Sequence, residues 1–187
     1  EVISNMTNML RRQLGEDIGL HFNFSTSVPP VMADAGMVEQ VIMNLALNAR
    51  DAMPKGGQLI ISTLARHIDE SCLRREPQAR VGQYACLIVK DTGSGMDAAT
   101  QSKLFEPFFT TKEVGKGTGL GLATVYGIVK QHQGWIEVVS APGKGAAFKI
   151  FLAAHVRGPV SRKTESPVKS EAPTRHETIL LVEDEPA

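Results

Sequence analysis

The spacing of apolar residues changes several times along this chain, and each change marks an element. Between Asp34 and Met53, the residues Val38, Val41, Ile42, Leu45, Ala49 and Ala52 fall on one stripe. Their spacing is about 100° per residue, the period of an amphipathic helix. Asp34 is placed as its N-cap, and Pro54 with Gly56-Gly57 ends it. Val2, Ile3, Met6, Met9, Leu10 and Leu14 recur at spacings of three and four, so residues 1–14 are a second predicted helix, closed by Gly15. That helix begins abruptly, as the continuation of one upstream. Alternation over 18–24 predicts a strand, ended by Pro29-Pro30. Further strands are expected at 58–65, 84–89, 134–140 and 146–152, the last two joined by a turn at Pro142-Gly143. Helices are expected at 97–104 and 120–132. Residues 66–82 are polar and irregular and predict an exposed hairpin end, whereas 105–117 are rich in Phe, Pro and Gly with little periodicity.

After His155 the composition changes. Residues 156–177 carry prolines and many charges with few sizeable apolar side chains, the make-up of an interdomain linker. Residues 178–187, TILLVEDEPA, are an apolar strand followed by acids and predict the start of a further, truncated domain. The 187 residues are 42% hydrophobic and 21% charged, a globular composition. Twenty basic and twenty acidic residues cancel, which removes any electrostatic case for a nucleic-acid or membrane partner. Cys72 and Cys86 have no second pair and no His at ligand spacing, so they are ordinary thiols of a reducing, cytoplasmic setting. No stretch approaches the ~18–20 apolar residues that span a bilayer.

Three separated clusters carry chemistry. Asn44 and Asn48 lie one turn apart beside the apolar stripe of the 34–53 helix. Carboxamide oxygens suit a hard Mg²⁺ ion that keeps waters and shares phosphate oxygens; two flank amides equally suit hydrogen bonds to nearby backbone. Asp91-Thr-Gly-Ser-Gly-Met96 follows an apolar strand. Its carboxylate can accept from an exocyclic amino group, and Gly93 and Gly95 allow close approach to a flat ring, although a strand followed by an Asp-Gly turn is also common. Gly115 to Gly121 (GKGTGLG) opens a helix, where backbone N–H groups attract phosphate. It is not a P-loop, and Leu122 breaks the dinucleotide fingerprint.

In this order, NLALNARDAM, DTGSGM, LFEPFFTTK and GKGTGLGLA resemble the N, G1, F and G2 boxes of sensor histidine kinases, within the ATPase superfamily shared with gyrase, Hsp90 and MutL. The resemblance covers about residues 1–155. It implies an α+β fold: a two-layer Bergerat sandwich, with a mixed sheet, helices on one face and a mobile ATP lid. Residues 1–14 become the end of a dimerisation hairpin helix, 15–155 the ATP-binding catalytic domain, 156–177 the linker, and 178–187 the opening of a receiver domain, as in a hybrid kinase. It implies ATP and Mg²⁺ as ligands. Asn48 would ligate Mg²⁺, with Asn44 beside the phosphates. Asp91 would read adenine, with Gly93, Gly95 and Met96 bordering the ring. Lys112 and Lys116 would meet polyphosphate, with Gly117, Thr118, Gly119, Leu120 and Gly121 offering backbone to it. Phe105, Phe108 and Phe109 suit a lid that packs over the nucleotide.

The sequence departs from the family pattern at two site positions. Many relatives are basic at the position of Asp51, so here Mg²⁺ and the lid lysines are expected to do more. Arg50 is rotated about 100° away on the helix and is not expected to replace that charge. Ala146 stands where a Thr usually partners the adenine-reading Asp. The resemblance also implies an acceptor histidine followed by an acid, with a proline five residues on; His21, His67, His132, His155 and His176 do not fit. The chain is thus expected to bind ATP·Mg²⁺ and to donate the γ-phosphoryl group to a histidine on a preceding hairpin domain. Its expected partners are that hairpin, a receiver and a cognate response regulator, with a monomeric fragment, a dimeric parent and a cytoplasmic site even where the parent is membrane-anchored. The alternatives are an ATP-hydrolysing conformational module of the gyrase, Hsp90 or MutL type, and a binding module that has lost nucleotide.

Overall fold

In the computed structural model, which describes residues 2–73, 79–113 and 117–155, the chain opens with α1 (Val2–Asn5) and α2 (Thr7–Leu14). Met6 separates them, but its φ of −79° and ψ of −10° stay helical. The predicted single helix is therefore interrupted for one residue only. Met6, Leu10 and Leu14 are buried and join the main core. The segments predicted as linker and as the start of a further domain, with Val114 to Lys116 and the side chain of Cys72, lie outside the described residues.

β1 (Ile18–Phe24) runs parallel to β2 (Gly57–Ile68), with Ile18 opposite Gly57. Parallel neighbours need a crossover rather than a tight turn, and the crossover is α3 (Ala35–Ala52). Its N-terminus is set locally: Asp34 is extended, and its carboxylate accepts from the Met37 N–H at 2.9 Å, a cap of the kind that contributes about 1 kcal/mol. A long-range contact fixes the same end. Asp34 N–H donates to His132 Nε2 at 3.1 Å, while Nδ1 of that ring lies 2.8 Å from Ile128 O. Both contacts together require Nδ1–H donating and Nε2 accepting.

After β2 come α4 (Glu70–Leu73), β3 (Gly82–Asp91), α5 (Ala98–Lys103), α6 (Gly121–Gln131), β4 (Trp135–Ser140) and β5 (Ala146–Ala153). The sheet order is β1-β2-β3-β5-β4, and every pair except β1·β2 is antiparallel. This is the expected mixed sheet. One face carries Leu59, Ile61, Val89, Phe148 and Ile150 against Val41, Ile42 and Leu45 of α3 and Val125 and Val129 of α6. Helices on one face make the two-layer α+β sandwich. Among the described residues no helix is long and apolar enough to cross a membrane.

The 66–82 segment differs from its predicted character. β2 continues to Ile68, which is fully buried, and Ala79 is buried too. Both join Tyr84, Cys86, Trp135 and Phe151 in a second cluster. Trp135 and Phe151 stack at 4.5 Å between centroids, and Tyr84 meets Trp135 edge-on at 4.8 Å. Trp135, Phe151 and Cys86 are directly opposite one another across β4, β5 and β3, so this row lies on one face of the sheet. The Tyr84 hydroxyl accepts from Arg80 N–H at 3.1 Å and donates to Arg80 O at 3.0 Å, which holds the returning segment against the row. Polar composition hid this role, because only a few apolar residues are needed to cover three aromatics.

Trp135→Ala should lower the free energy of unfolding by about 3–5 kcal/mol, the usual loss for a large buried aromatic, seen as a lower urea midpoint with an unchanged slope. A loss under about 1 kcal/mol would mean that this second cluster does not pack as described.

Candidate functional site

α3 is amphipathic in two senses. Its buried stripe faces the sheet, and the neighbouring stripe, Asn44, Asn48 and Asp51, opens on a cavity of about 580 Å³. Neither carboxamide has a hydrogen-bond partner among the described residues. The alternative of amides satisfied by nearby backbone is not what the structure adopts. Two carboxamide oxygens at the wall of a cavity are available to a hard cation or to water. Among the described residues there is no group of three or more His, Cys, Asp or Glu that could hold a metal ion.

Asp91, at the end of β3, is the buried charged residue of the described structure, with 5% of its surface exposed. Its Oδ1 accepts from Gly93 N–H at 2.8 Å and Ala146 N–H at 3.2 Å. Among the described residues no hydrogen bond reaches Oδ2, and Asp91 lines the cavity. Burial raises the Asp91 pKa above its ordinary 3.8, and the backbone amides pull it down without cancelling the rise. Ala146 is thus a partner of this carboxylate through its backbone, although its side chain cannot be one.

Gly93 does not line the cavity. A Cβ there would meet the Ala52 carbonyl at the end of α3, so its glycine permits close packing that aims Asp91. Gly95 and Met96 do line it. Gly95 has φ of 65° and leaves no room for a side chain against Ala141 O. Met96 N–H donates to Ser140 Oγ at 2.9 Å, and that hydroxyl donates to Gly145 O at 2.8 Å. Gln101 Nε2 donates to both Met96 O and Ser140 O, at 3.0 and 3.2 Å. Ser140 and Gln101 carried no signal in the sequence, because the bonds that join Met96 and Gln101 to Ser140 span 44 and 39 positions.

The glycine-rich segment lies across the cavity. Gly117, Thr118, Gly119 and Gly121 line it, and Lys116 falls outside the described residues. Leu120 does not line it: its N–H donates to Thr118 Oγ1 at 3.3 Å and its side chain is exposed. It is the N-cap of α6 and provides no side-chain cap, so among the described residues the first N–H groups of the helix have no cap, the feature that makes a helix N-terminus an anion site. Of the three phenylalanines, Phe109 lines the cavity. Phe105 packs against Tyr126 at 5.1 Å. Phe108 is 74% exposed with φ of 67°, held there by its N–H on Gly119 O at 3.0 Å. Leu104, Leu122 and Phe148 add apolar lining.

Asp51 is not an isolated acid. Lys112 Nζ donates to its Oδ2 at 2.5 Å, and Arg50 reaches its Oδ1 at 3.0 Å. Burial pushes the Asp51 pKa up, but the hydrogen bonds and charges of Lys112 and Arg50 outweigh it and hold the carboxyl below 3.8. Arg50, which the helix angle turns away from the site, still lines the cavity, and its guanidinium reaches Asp51.

Residues 33–156 match the family described as histidine kinase-, DNA gyrase B-, and HSP90-like ATPase. The chain is 44% identical over 193 residues to the sensor kinase CckA of Brucella abortus, covering all of this chain and 20% of that protein. Sporulation kinase E of Bacillus subtilis is 30% identical over 166 residues, again with 20% of its length spanned. Among solved structures, the mycobacterial sensor histidine kinase MprB superposes with a TM-score of 0.62 at 26% identity, over 81% of this chain and 91% of that one.

The raised Asp91 pKa has a consequence for stability. A folded-state pKa above the unfolded value means that ionised Asp91 costs nothing below the unfolded value and destabilises as pH rises through the folded one. Asp91→Asn keeps an oxygen for both amides and carries no charge. It should melt at a higher temperature than the wild type near about pH 7, with the gap closing as pH falls through 3.8. A wild type that melts higher at neutral pH would show that burying this charge is not the dominant cost.

Proposed function

As the chain belongs to the histidine kinase-, DNA gyrase B-, and HSP90-like ATPase family, we propose that residues 15–155 bind ATP with Mg²⁺ and present the γ-phosphoryl group to a histidine on a helical hairpin domain. One observation carries this reading. A single cavity is bordered by a buried carboxylate, by two carboxamides without a hydrogen-bond partner among the described residues, and by the N-terminus of α6, which has no side-chain cap. These are an acceptor for an exocyclic amino group, ligands for a hard cation, and donors for polyphosphate.

In this reading Asp91 Oδ2 accepts from the adenine amino group, while Gly95 and Met96 border the ring. Asn48 holds Mg²⁺, with Asn44 on the same wall. Bound there, Mg²⁺ would neutralise phosphate charge and fix the phosphate geometry. The α6 amides, with the backbone of Gly117, Thr118, Gly119 and Gly121, receive the polyphosphate, and Lys112 adds a positive charge from the facing loop. Catalysis is then mostly orientation and charge neutralisation, the chain supplying the donor and the hairpin the acceptor. A receiver following residue 177, and a cognate response regulator beyond it, would be the downstream partners. The acids Glu183, Asp184 and Glu185 after an apolar run support the first of these.

Nucleotide titrations with and without Mg²⁺ test the site. Asn48→Ala should weaken Mg·ATP binding at least about tenfold, equal to about 1.4 kcal/mol, with a smaller effect on metal-free nucleotide. Asp91→Asn, which turns an acceptor into a competing donor, should weaken ATP by a similar factor while remaining folded. Wild-type protein without nucleotide affinity would remove the proposal. Label passed to a separately supplied histidine hairpin domain establishes the kinase, whereas steady phosphate release without transfer would point to an ATPase of the gyrase or Hsp90 type.

A further inference from the structure

A line of polar contacts along the cavity rim ends at Lys112, and its other members are not used by the nucleotide-site reading. It starts at the C-terminal end of α2. The last carbonyls of a helix have no partner within it, and the Gln13 carbonyl accepts from Arg50 Nη1 at 3.0 Å. Arg50 turns Nε and Nη2 on Asp51 Oδ1, at 3.1 and 3.0 Å. The other oxygen of Asp51 takes Lys112 Nζ, from a residue 61 positions further along the chain. A carbonyl, a guanidinium, a carboxylate and an ammonium therefore connect α2, the last turn of α3 and the loop carrying Lys112.

Isolated surface ion pairs contribute little, but the members of this line are shared. The planar guanidinium bridges two acceptors, a task for which Lys would be a poor substitute. Both carboxylate oxygens are occupied. The three side chains are 31% to 40% exposed, neither buried nor free in solvent. Two cations flank one anion, so the cluster keeps one net positive charge beside the cavity although position 51 is acidic. An acid there need not repel polyphosphate, since it serves to gather the cations that attract it.

We propose that Arg50 and Asp51 are positioning residues for Lys112: they hold its ammonium at the cavity rim, one turn along α3 from Asn48, and tie that loop to the end of α2. The proposal rests on reading the cavity as an ATP site. It makes the loop partly ordered before nucleotide arrives, so less ordering is left to accompany binding. It also gives α2 a mechanical connection to the loop, because a displacement of the Gln13 carbonyl acts on Arg50 and through it on Asp51.

Hydrogen exchange in the nucleotide-free protein reads the tie without depending on ATP. Amide exchange at residues 109–112 should be faster in Asp51→Asn and Arg50→Gln, and near wild type in Asp51→Glu. The double variant Asp51→Asn/Lys112→Ala should exchange no faster than either single variant, since both remove the same contact. Unfolding midpoints measured alongside separate this local loosening from global destabilisation. Mg·ATP titration then reads the positioning. Asp51→Asn should bind about three- to tenfold more weakly, the direction expected from lost preorganisation. Simple charge repulsion predicts the opposite, because removing an anion beside polyphosphate strengthens binding. Unchanged exchange in Asp51→Asn, or tighter Mg·ATP binding, overturns the proposal. Absence of any ATP binding by the wild type would instead remove the site reading and leave the exchange result to decide the tie.

Discussion

A carboxylate held out of water at the end of β3 is the contact on which most of the site depends. Asp91 can stay buried only because Gly93 and Ala146 give it backbone amides, and those amides come from segments far apart along the chain. Bringing Ala146 to within 3.2 Å requires β5 to lie beside β3, and bringing Gly93 close requires the chain to fold sharply under the end of α3. The Ser94 N–H completes this fold by donating to Ala52 O at 3.0 Å, and Gly143 N–H donates to Ser94 O at 2.7 Å. A single desolvated group thus draws a strand end, a helix end and a hairpin turn into one small volume. Burial at this point is what raises its pKa.

Around this point α3 serves the fold and the site at once. Its apolar stripe is fixed by the sheet, and a helix rotates as a rigid body, so the angle that buries Ile42 and Leu45 also sets where Asn44, Asn48 and Asp51 project. The two ends of α3 are held differently. At the start, the local cap of Asp34 is reinforced by His132 from the end of α6. At the finish, Met53 and Ala52 pack against the glycines of the β2 and β3 ends. An orientation secured from both ends fixes where the cavity-facing side chains of α3 project.

The opposite face of the sheet shows a different economy. A segment with too few apolar residues to form a core of its own covers an aromatic row that would otherwise meet water. Tyr84 satisfies its hydroxyl on the backbone of the covering segment, as a buried phenol must. The two clusters lie on either side of β3 and β5, so these central strands are apolar on both faces near Cys86 and Phe151.

Much of the architecture was legible in the residues themselves. Helix periods, strand alternation, the Asp34 cap and the glycine turns are local properties, set by dihedral preferences and by which side of an element is apolar. The stripe of α3 therefore already implied that Asn44 and Asn48 share a face. The order of the four motifs was enough to suggest that they belong to one pocket. What the sequence could not supply was the individual contacts between residues distant along the chain. Asp51 was legible as an acid at an odd position, but its pairing with Lys112 exists only because the loop folds back over α3. The supporting role of Gly93, the outward Phe108, the engaged Leu120 amide and the positions of Ser140 and Gln101 have the same origin. Local chemistry decides what an element can present, and only packing decides what stands opposite it.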